Sequence, residues 1–218
     1  ATIEPGIGQG RVSGGTETTS GMAARYDNAI NYWGQTWGNR NDVAVAINGY
    51  FFGEPQEPLG VPWSGVVHSS WYAHRYTDNV GDAGFAWTHE RQALIGSCVY
   101  HTGNNNEVLF ENAGTYAPNI DAINVARDGE DFLLYTPQYD ASTGTGSGAL
   151  ELMVEMTSTA QILPKPAGAV GYIRQIRQSG PTPLYHNYVV LSFWDAARDA
   201  LQARINDGLV GVGDRVTI

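Results

Sequence analysis

Asn48 is the first residue whose type and position suggest chemistry. It follows the apolar run 43–47 and precedes Gly49 and three aromatic residues. A short apolar run with β-branched residues that ends in turn-forming residues predicts a buried strand. Because an amide can both donate and accept hydrogen bonds, Asn48 at the strand end could stabilise the turn or contact a ligand.

Two carboxylic acids, Glu54 and Asp121, could perform acid or nucleophilic chemistry. Cleavage of a glycosidic bond generally needs two carboxyl groups, one that protonates the leaving oxygen and one that attacks or stabilises the anomeric carbon. Glu54 lies in the segment 53–65, which holds three prolines and three glycines and is predicted to be a surface loop. There it could line a cleft beside Asn48 or be a solvated loop acid.

Asp121 and Asn124 fall within a strand predicted around 120–126, and Arg127 lies at its end. Side chains alternate between the two faces of a strand, so 121 and 127 would share a face and Asn124 would lie on the other. An Asp–Arg pair there could be structural or could take part in catalysis. Arg127 could also bind a phosphate through two parallel hydrogen bonds.

Aromatic residues surround the predicted loop, and two of them, Tyr50 and Trp63, are candidate substrate contacts. An aromatic ring can stack on a sugar ring, but aromatic residues that follow a core strand also pack in the interior. The sequence leaves both interpretations open.

Composition excludes several classes of protein. The chain has 218 residues, with 12 basic and 22 acidic side chains, and its net charge of −10 argues against binding to nucleic acid or to an anionic membrane. Cys98 is the only cysteine, so neither an internal disulfide nor a cysteine-based metal site is predicted. The five histidines show no metal-binding motif. No apolar run reaches the length of a membrane-spanning helix, about 18 residues.

Periodicity predicts an α+β fold with a mixed, largely antiparallel sheet and two main helices, at about 20–34 and 193–206. Strands 83–88, 92–101, 107–111, 120–126 and 131–136 are predicted to form an antiparallel meander. Alternation over 150–156 predicts a half-buried strand with Glu151 and Glu155 on the polar face. The Gly-, Ser- and Thr-rich residues 1–20 are predicted to be an extended N-terminal arm, followed by one domain over 21–218.

Several segments, in order, resemble the phosphodiester glycosidase family, which includes the enzyme that uncovers mannose 6-phosphate by removing N-acetylglucosamine. The segments are AINGYFF at 46–52, GFAW at 84–87 with QALIG at 92–96, IDAINVAR at 120–127 with FLLYTPQY at 132–139, VVLS at 189–192 and VGDRV at 212–216. The resemblance covers about residues 40–218. Members of the family continue into a second half with an NLDGGGSS-like segment, which this sequence does not contain.

The resemblance implies a secreted hydrolase of glycosyl phosphodiester or polysaccharide linkages. Its catalytic residues would be Asn48, Glu54 and Asp121, and its substrate contacts Arg127, Asn124, Tyr50 and Trp63. Carbohydrate or glycosyl phosphate would be the ligand, and a second polypeptide or a homo-oligomer could complete the protein. Neither the residues nor the resemblance identifies a cofactor.

Two other interpretations remain open. The chain could be a non-enzymatic extracellular module that binds glycan or assembles with copies of itself, with the N-terminal arm adding a strand to a neighbour's sheet. It could also be half of a cleaved enzyme that is active only with its other half.

Overall fold

The protein folds around one seven-stranded sheet. The computed structural model describes residues 6–13, 16–31, 66–68, 71–74, 83–87, 92–97, 107–157 and 169–218. Two helices lie in these ranges, α1 (Thr19–Asn31) and α2 (Asp195–Asn206), together with a short 3-10 turn at Gly8–Gly10. The strands are β1 (Val66–His68), β2 (Trp71–His74), β3 (Ala83–Trp87), β4 (Ala93–Ser97), β5 (Leu109–Phe110), β6 (Ala122–Ile123), β7 (Phe132–Tyr135), β8 (Leu150–Met156), β9 (Val170–Arg177), β10 (Tyr188–Phe193) and β11 (Arg215–Thr217).

The large sheet has the strand order β5-β11-β9-β8-β10-β7-β6, and two further pairs, β1–β2 and β3–β4, form separate two-stranded sheets. Among the described strands, every pairing is antiparallel except that between β6 and β7. The predicted fold class, an α+β fold with a mixed and largely antiparallel sheet, is therefore confirmed.

The predicted meander is wrong in its pairing, although β3 and β4 do form a hairpin. Strand β5 pairs with the distant β11, and β6 lies parallel to β7. The strand predicted over 120–126 ends at Ile123, because Asn124 adopts a left-handed conformation with φ of 56°. The face assignment of residues 121, 124 and 127 fails for the same reason, since a strand's alternation stops where the strand ends.

Strand β8 is buried on both faces, which corrects the predicted half-buried strand. Its position in the middle of the sheet places Leu150, Leu152 and Val154 against one apolar cluster and Met153 against another. Glu151 is fully buried on the second side. We call the two sides the helix face, which α2 covers through Leu201, and the tyrosine face, which carries Leu133, Tyr135, Met153 and Val190.

Residues 7–13 pack against the turn at 138–140. The backbone N–H groups of Val12 and Ser13 donate to the carbonyl oxygens of Gln138 and Tyr139 at 2.9 and 3.1 Å. The Ser13 hydroxyl donates to the Asp140 carboxylate, and the side chains of Ile7 and Val12 are buried. This part of the predicted arm is thus held on the sheet-bearing body, while the division into arm and domain stays a prediction.

Within the described ranges, no helix has the length and apolar character needed to cross a lipid bilayer.

Candidate functional site

An open pocket of about 290 Å³ lies at one end of the tyrosine face. Its walls come from the segment after β6, from the end of β7, from the turn and loop after β7, and from the residue before α2. We call it the Arg127 pocket, and it is lined by Ala126, Arg127, Tyr135, Tyr139, Thr143, Gly144, Thr145, Gly146 and Trp194.

Arg127 carries the positive charge of this pocket, and its side chain is 28% exposed. Its Nε donates to the Glu130 carbonyl at 2.9 Å, and its Nη2 donates to Asp195 at 2.5 Å. The guanidinium carbon lies 4.5 Å from the centroid of the Trp194 ring, a cation–π distance. The Arg127 guanidinium is therefore held along one edge by two hydrogen bonds and on one face by the Trp194 ring. Its ion-pair partner is Asp195, not the Asp121 suggested by the sequence.

Trp194 is positioned by the end of β10. Its ring nitrogen donates to the hydroxyl of Ser192, a fully buried residue, at 3.0 Å, and its backbone N–H donates to the Asp131 carbonyl at 2.8 Å. The predicted helix 193–206 consequently begins two residues later, because Trp194 has extended backbone angles. This extended residue places an aromatic ring beside Arg127.

Asp121 uses its carboxylate to hold the start of β7. Oδ2 accepts hydrogen bonds from the backbone N–H groups of Asp131 and Phe132 at 3.1 and 2.9 Å. The residue is exposed and does not line the Arg127 pocket.

Asn124 is fully buried and holds the end of β7. Its Nδ2 donates to the Thr136 hydroxyl at 2.7 Å, and its Oδ1 accepts from the Thr136 backbone N–H at 2.8 Å. Its left-handed backbone turns the chain out of β6 toward Ala126 and Arg127, which do line the pocket. Asn124 thus shapes the approach to the site without lining it.

The four other predicted site residues, Asn48, Tyr50, Glu54 and Trp63, lie outside the described residues. Of the seven sequence candidates, Arg127 alone is known to line the pocket, and the geometry of the site rests on it.

Tyr135 forms part of the pocket wall, and its side chain is fully buried. Within the described part of the chain its hydroxyl has no hydrogen-bond partner. Burial raises the pKa of this phenol above its usual range, and the nearby Tyr139 and Glu151 raise the pKa further. Tyr135 therefore stays protonated at neutral pH and keeps a hydrogen to donate.

A chain of hydroxyl groups connects the pocket to a buried carboxylate. The Thr145 hydroxyl lies 2.7 Å from Glu151 Oε1 and 2.9 Å from the Thr143 hydroxyl. Thr143 Oγ1 in turn accepts from the backbone N–H of Thr182 at 3.0 Å. Sequence reasoning missed this group because it placed Glu151 on the polar face of a half-buried strand. The available signal was a pair of threonines separated by one residue, Thr143 and Thr145, followed by the acid Glu151 in an apolar strand.

Comparison with known proteins gives a fold but no family. No family model and no curated protein matches the chain. One similar solved structure is a "Putative exported protein" from Burkholderia pseudomallei K96243, with 16% identity and a TM-score of 0.53 over 97% of this chain and 41% of that one. A hypothetical protein from Synechocystis shows 14% identity and a TM-score of 0.44 over 83% of this chain and 29% of that one. This chain spans less than half the length of either protein, and at such identities the Burkholderia match shows a shared fold alone.

Proposed function

We propose that the Arg127 pocket binds a glycosyl phosphate and that the chain is part of an extracellular hydrolase of glycosyl phosphodiester or polysaccharide linkages. The observation that carries the proposal is the arrangement of Arg127 against Trp194 at the edge of an open pocket walled by hydroxyl groups. A guanidinium group suits a phosphate, whereas an aromatic ring and hydroxyl groups suit a sugar.

The bound phosphate would interact with the Nη1 side of Arg127. Nε and Nη2 are engaged by Glu130 and Asp195. Among the described residues Nη1 makes no hydrogen bond, so an incoming phosphate oxygen could accept from it or displace the exposed Asp195 carboxylate. The pocket volume of about 290 Å³ is close to the lower end of the range for small-molecule sites, roughly 300 Å³.

The catalytic roles of Asn48 and Glu54 and the substrate contacts of Tyr50 and Trp63 belong to this proposal, and the resemblance to phosphodiester glycosidases supports them. Asp121 and Asn124 make structural hydrogen bonds that join the residues before Arg127 to the two ends of β7, the strand after it. In this scheme their contribution is to fix the position of Arg127, while the loop at 53–65 contributes the acid Glu54.

Secretion of the protein is part of the proposal. The low share of charged residues, 16%, and the 27 glycines are typical of a β-rich extracellular protein. The name of the Burkholderia protein, which this chain resembles in fold, also mentions export.

Binding and cleavage can be tested separately. Calorimetric titration with inorganic phosphate and with sugar 1-phosphates should give saturable binding that Arg127→Gln weakens at least tenfold. Arg174→Gln is the matched control, because Arg174 also pairs with a carboxylate, Glu155 at 2.6 Å, and lies near an aromatic ring, Tyr172, but outside the pocket. Equal affinities in the two variants would refute the site.

Cleavage is measured by proton NMR on methyl glycosyl phosphodiesters, using the chain together with any polypeptide that co-purifies with it. Release of the free sugar would support the hydrolase. Binding without release would favour the second candidate, a glycan-binding module. One observation favours that candidate: no carboxylate is among the described residues that line the pocket.

A further inference from the structure

The hydrogen-bond chain beside the pocket has a fixed direction. At one end the backbone N–H of Thr182 can only donate, and it donates to Thr143 Oγ1 at 3.0 Å. At the other end the Thr145 hydroxyl donates to Glu151 Oε1 at 2.7 Å. The Thr145 hydrogen is therefore committed to Glu151.

The contact between the two threonines leaves the same acceptor free. Their hydroxyl oxygens are 2.9 Å apart, and the Thr143 hydroxyl also lies 3.4 Å from Glu151 Oε2, to which it can donate. Because the Thr145 hydrogen points to Glu151, it is not given to Thr143. Whether the Thr143 hydrogen points to Thr145 or to Glu151, Thr145 Oγ1 keeps at least one lone pair. Since Thr145 is half-buried and lines the pocket, that lone pair is the group available to a ligand.

The surrounding packing holds this arrangement in place. Glu151 is fully buried, so turning the Thr145 hydroxyl away would cost Glu151 Oε1 its 2.7 Å hydrogen bond and leave the carboxyl group with the longer 3.4 Å contact from Thr143 to Oε2. Gly180 closes the other side, because a Cβ atom there would lie 1.9 Å from Thr145 Oγ1 and 3.0 Å from Glu151 Oε2. The hydroxyl is consequently a preorganised acceptor.

We propose that Thr145 selects ligands by accepting a hydrogen bond from a sugar hydroxyl, while Arg127 donates to the phosphate of the same molecule. This inference rests on the proposed function and adds the orientation of the ligand. The pocket presents a donor wall at Arg127 and an acceptor at Thr145, so a phosphate oxygen, which lacks a hydrogen, is disfavoured at Thr145. A second phosphate in place of the sugar hydroxyl would meet a lone pair with the Glu151 charge behind it.

The test uses fluorine, which accepts weakly but cannot donate. The tightest binder among the 1-phosphates of glucose, galactose, mannose and N-acetylglucosamine is compared with its monodeoxy and monodeoxyfluoro analogues by calorimetry on the wild-type protein. At one ring position both analogues should bind about tenfold more weakly than the parent, the effect of losing one hydrogen bond. A fluoro analogue that binds as tightly as the parent at every position would overturn the proposal.

Variants assign the effect to Thr145. In Thr145→Val the parent should lose about the same tenfold and the discrimination at that position should vanish, whereas Thr145→Ser should retain both. Thr157→Val is the control, since its hydroxyl bonds the Val170 carbonyl outside the pocket. Discrimination that persists in Thr145→Val overturns the inference and leaves the proposed function intact. Failure of the wild-type protein to bind any of the four sugar phosphates or inorganic phosphate overturns both.

Discussion

At the scale of single residues, polar side chains that a sequence marks as chemical can instead hold the backbone that carries the chemistry. Asn124 donates to and accepts from Thr136 in the interior, and it takes a positive φ that asparagine tolerates better than most residues. Its amide replaces the backbone pairing that β6 loses when the strand ends. The neighbouring Arg127 is left to face the pocket.

Replacing Asn124 with alanine should lower the free energy of unfolding by about 2–4 kcal/mol, because two buried hydrogen bonds are lost and a left-handed backbone is left to alanine. Chemical denaturation gives the value. Asn112→Ala should change it by less than about 0.5 kcal/mol, since Asn112 is exposed and its side chain makes one hydrogen bond within the described ranges, to Asp214 at 3.1 Å. Similar losses in both variants would contradict the structural role.

Tyr135→Phe should raise the free energy of unfolding of the unliganded protein by up to about 1 kcal/mol, because it removes a buried hydroxyl that lacks a partner among the described residues. Thermal melting measures the shift. Tyr116→Phe should behave in the same way, since that hydroxyl is also buried without a partner in the described part of the chain, although it lies outside the pocket. A lower melting temperature for Tyr135→Phe alone would show that its hydroxyl is engaged in the free protein.

Residue type identified Arg127 as a site residue, but it did not identify the buried Glu151 beside the pocket. Arg127 was a candidate because a guanidinium can bind a phosphate through two hydrogen bonds and because it lies in a segment that resembles the phosphodiester glycosidases. Glu151 was not, because alternation along 150–156 assigns its side chain to the polar face. Only the covering of β8 on both sides makes that face interior, and the covering comes from residues distant in sequence.

At the scale of elements, the loop 142–148 is positioned by the segment at 180–182 rather than by its own sequence. Thr143 exchanges backbone and side-chain hydrogen bonds with Thr182, and the N–H of Gly180 donates to the Gly146 carbonyl at 3.1 Å. The two segments together hold Thr145 at the pocket.

Gly180→Ala should abolish ligand binding and lower the melting temperature, because its Cβ would lie 1.9 Å from Thr145 Oγ1 and would force Thr145 off Glu151. Gly211→Ala is the control, since the nearest atom to its Cβ would be Asp214 Oδ2 at an ordinary 3.9 Å. The ligand affinity from calorimetric titration and the melting temperature are measured for both variants. Unchanged binding in Gly180→Ala would mean that the loop repositions freely.

Helix α2 shows where local patterns stop being informative. Its apolar spacing predicted a helix from 193, yet Phe193 completes β10 by pairing with Phe132 and Leu150. Helical periodicity identifies the element, but the residue at which a strand yields to a helix depends on partners elsewhere in the chain. The first helix begins at Thr19, one residue before its predicted start, and its predicted end at 34 lies outside the described residues.

At the scale of the whole molecule, two carboxylates bind the N-terminal segment to the rest. Hydrogen bonding from Ser13, followed by the Ala141 backbone and Arg11, lowers the pKa of Asp140 below its ordinary value. The backbone N–H of Gln9, together with Arg25, lowers the pKa of Glu17. A depressed carboxyl pKa in the folded state contributes stability above the unfolded pKa, and this contribution is lost as pH falls through the folded pKa.

The melting temperature should therefore fall as the pH drops from about 5 to 3, the region of ordinary carboxyl titration and below it. Asp140→Asn should show a shallower fall over that interval. Asp128→Asn serves as the control, because Asp128 is exposed and does not contact residues 7–13 among the described contacts. A pH profile of Asp140→Asn that matches the wild type would contradict the role of Asp140.

Composition and periodicity predicted the fold class and the position of most strands, but they did not predict which strands pair. Pairing of β5 with β11 depends on geometry that no local window contains. Prediction from sequence therefore succeeded for elements that depend on neighbouring residues and failed for pairings between residues far apart in the chain.

The place of β11 between β5 and β9 has a consequence for biosynthesis. Thr217 pairs with Leu109, so about a hundred residues must leave the ribosome before β5 can acquire its partner. During that interval the apolar groups around Phe110 lack their cover, and the edge of β9 is open from the time β9 emerges until β11 follows it. Contacts between such distant segments slow folding and expose unpaired edges. A nascent chain of this protein should therefore complete its large sheet only after its closing strand has emerged.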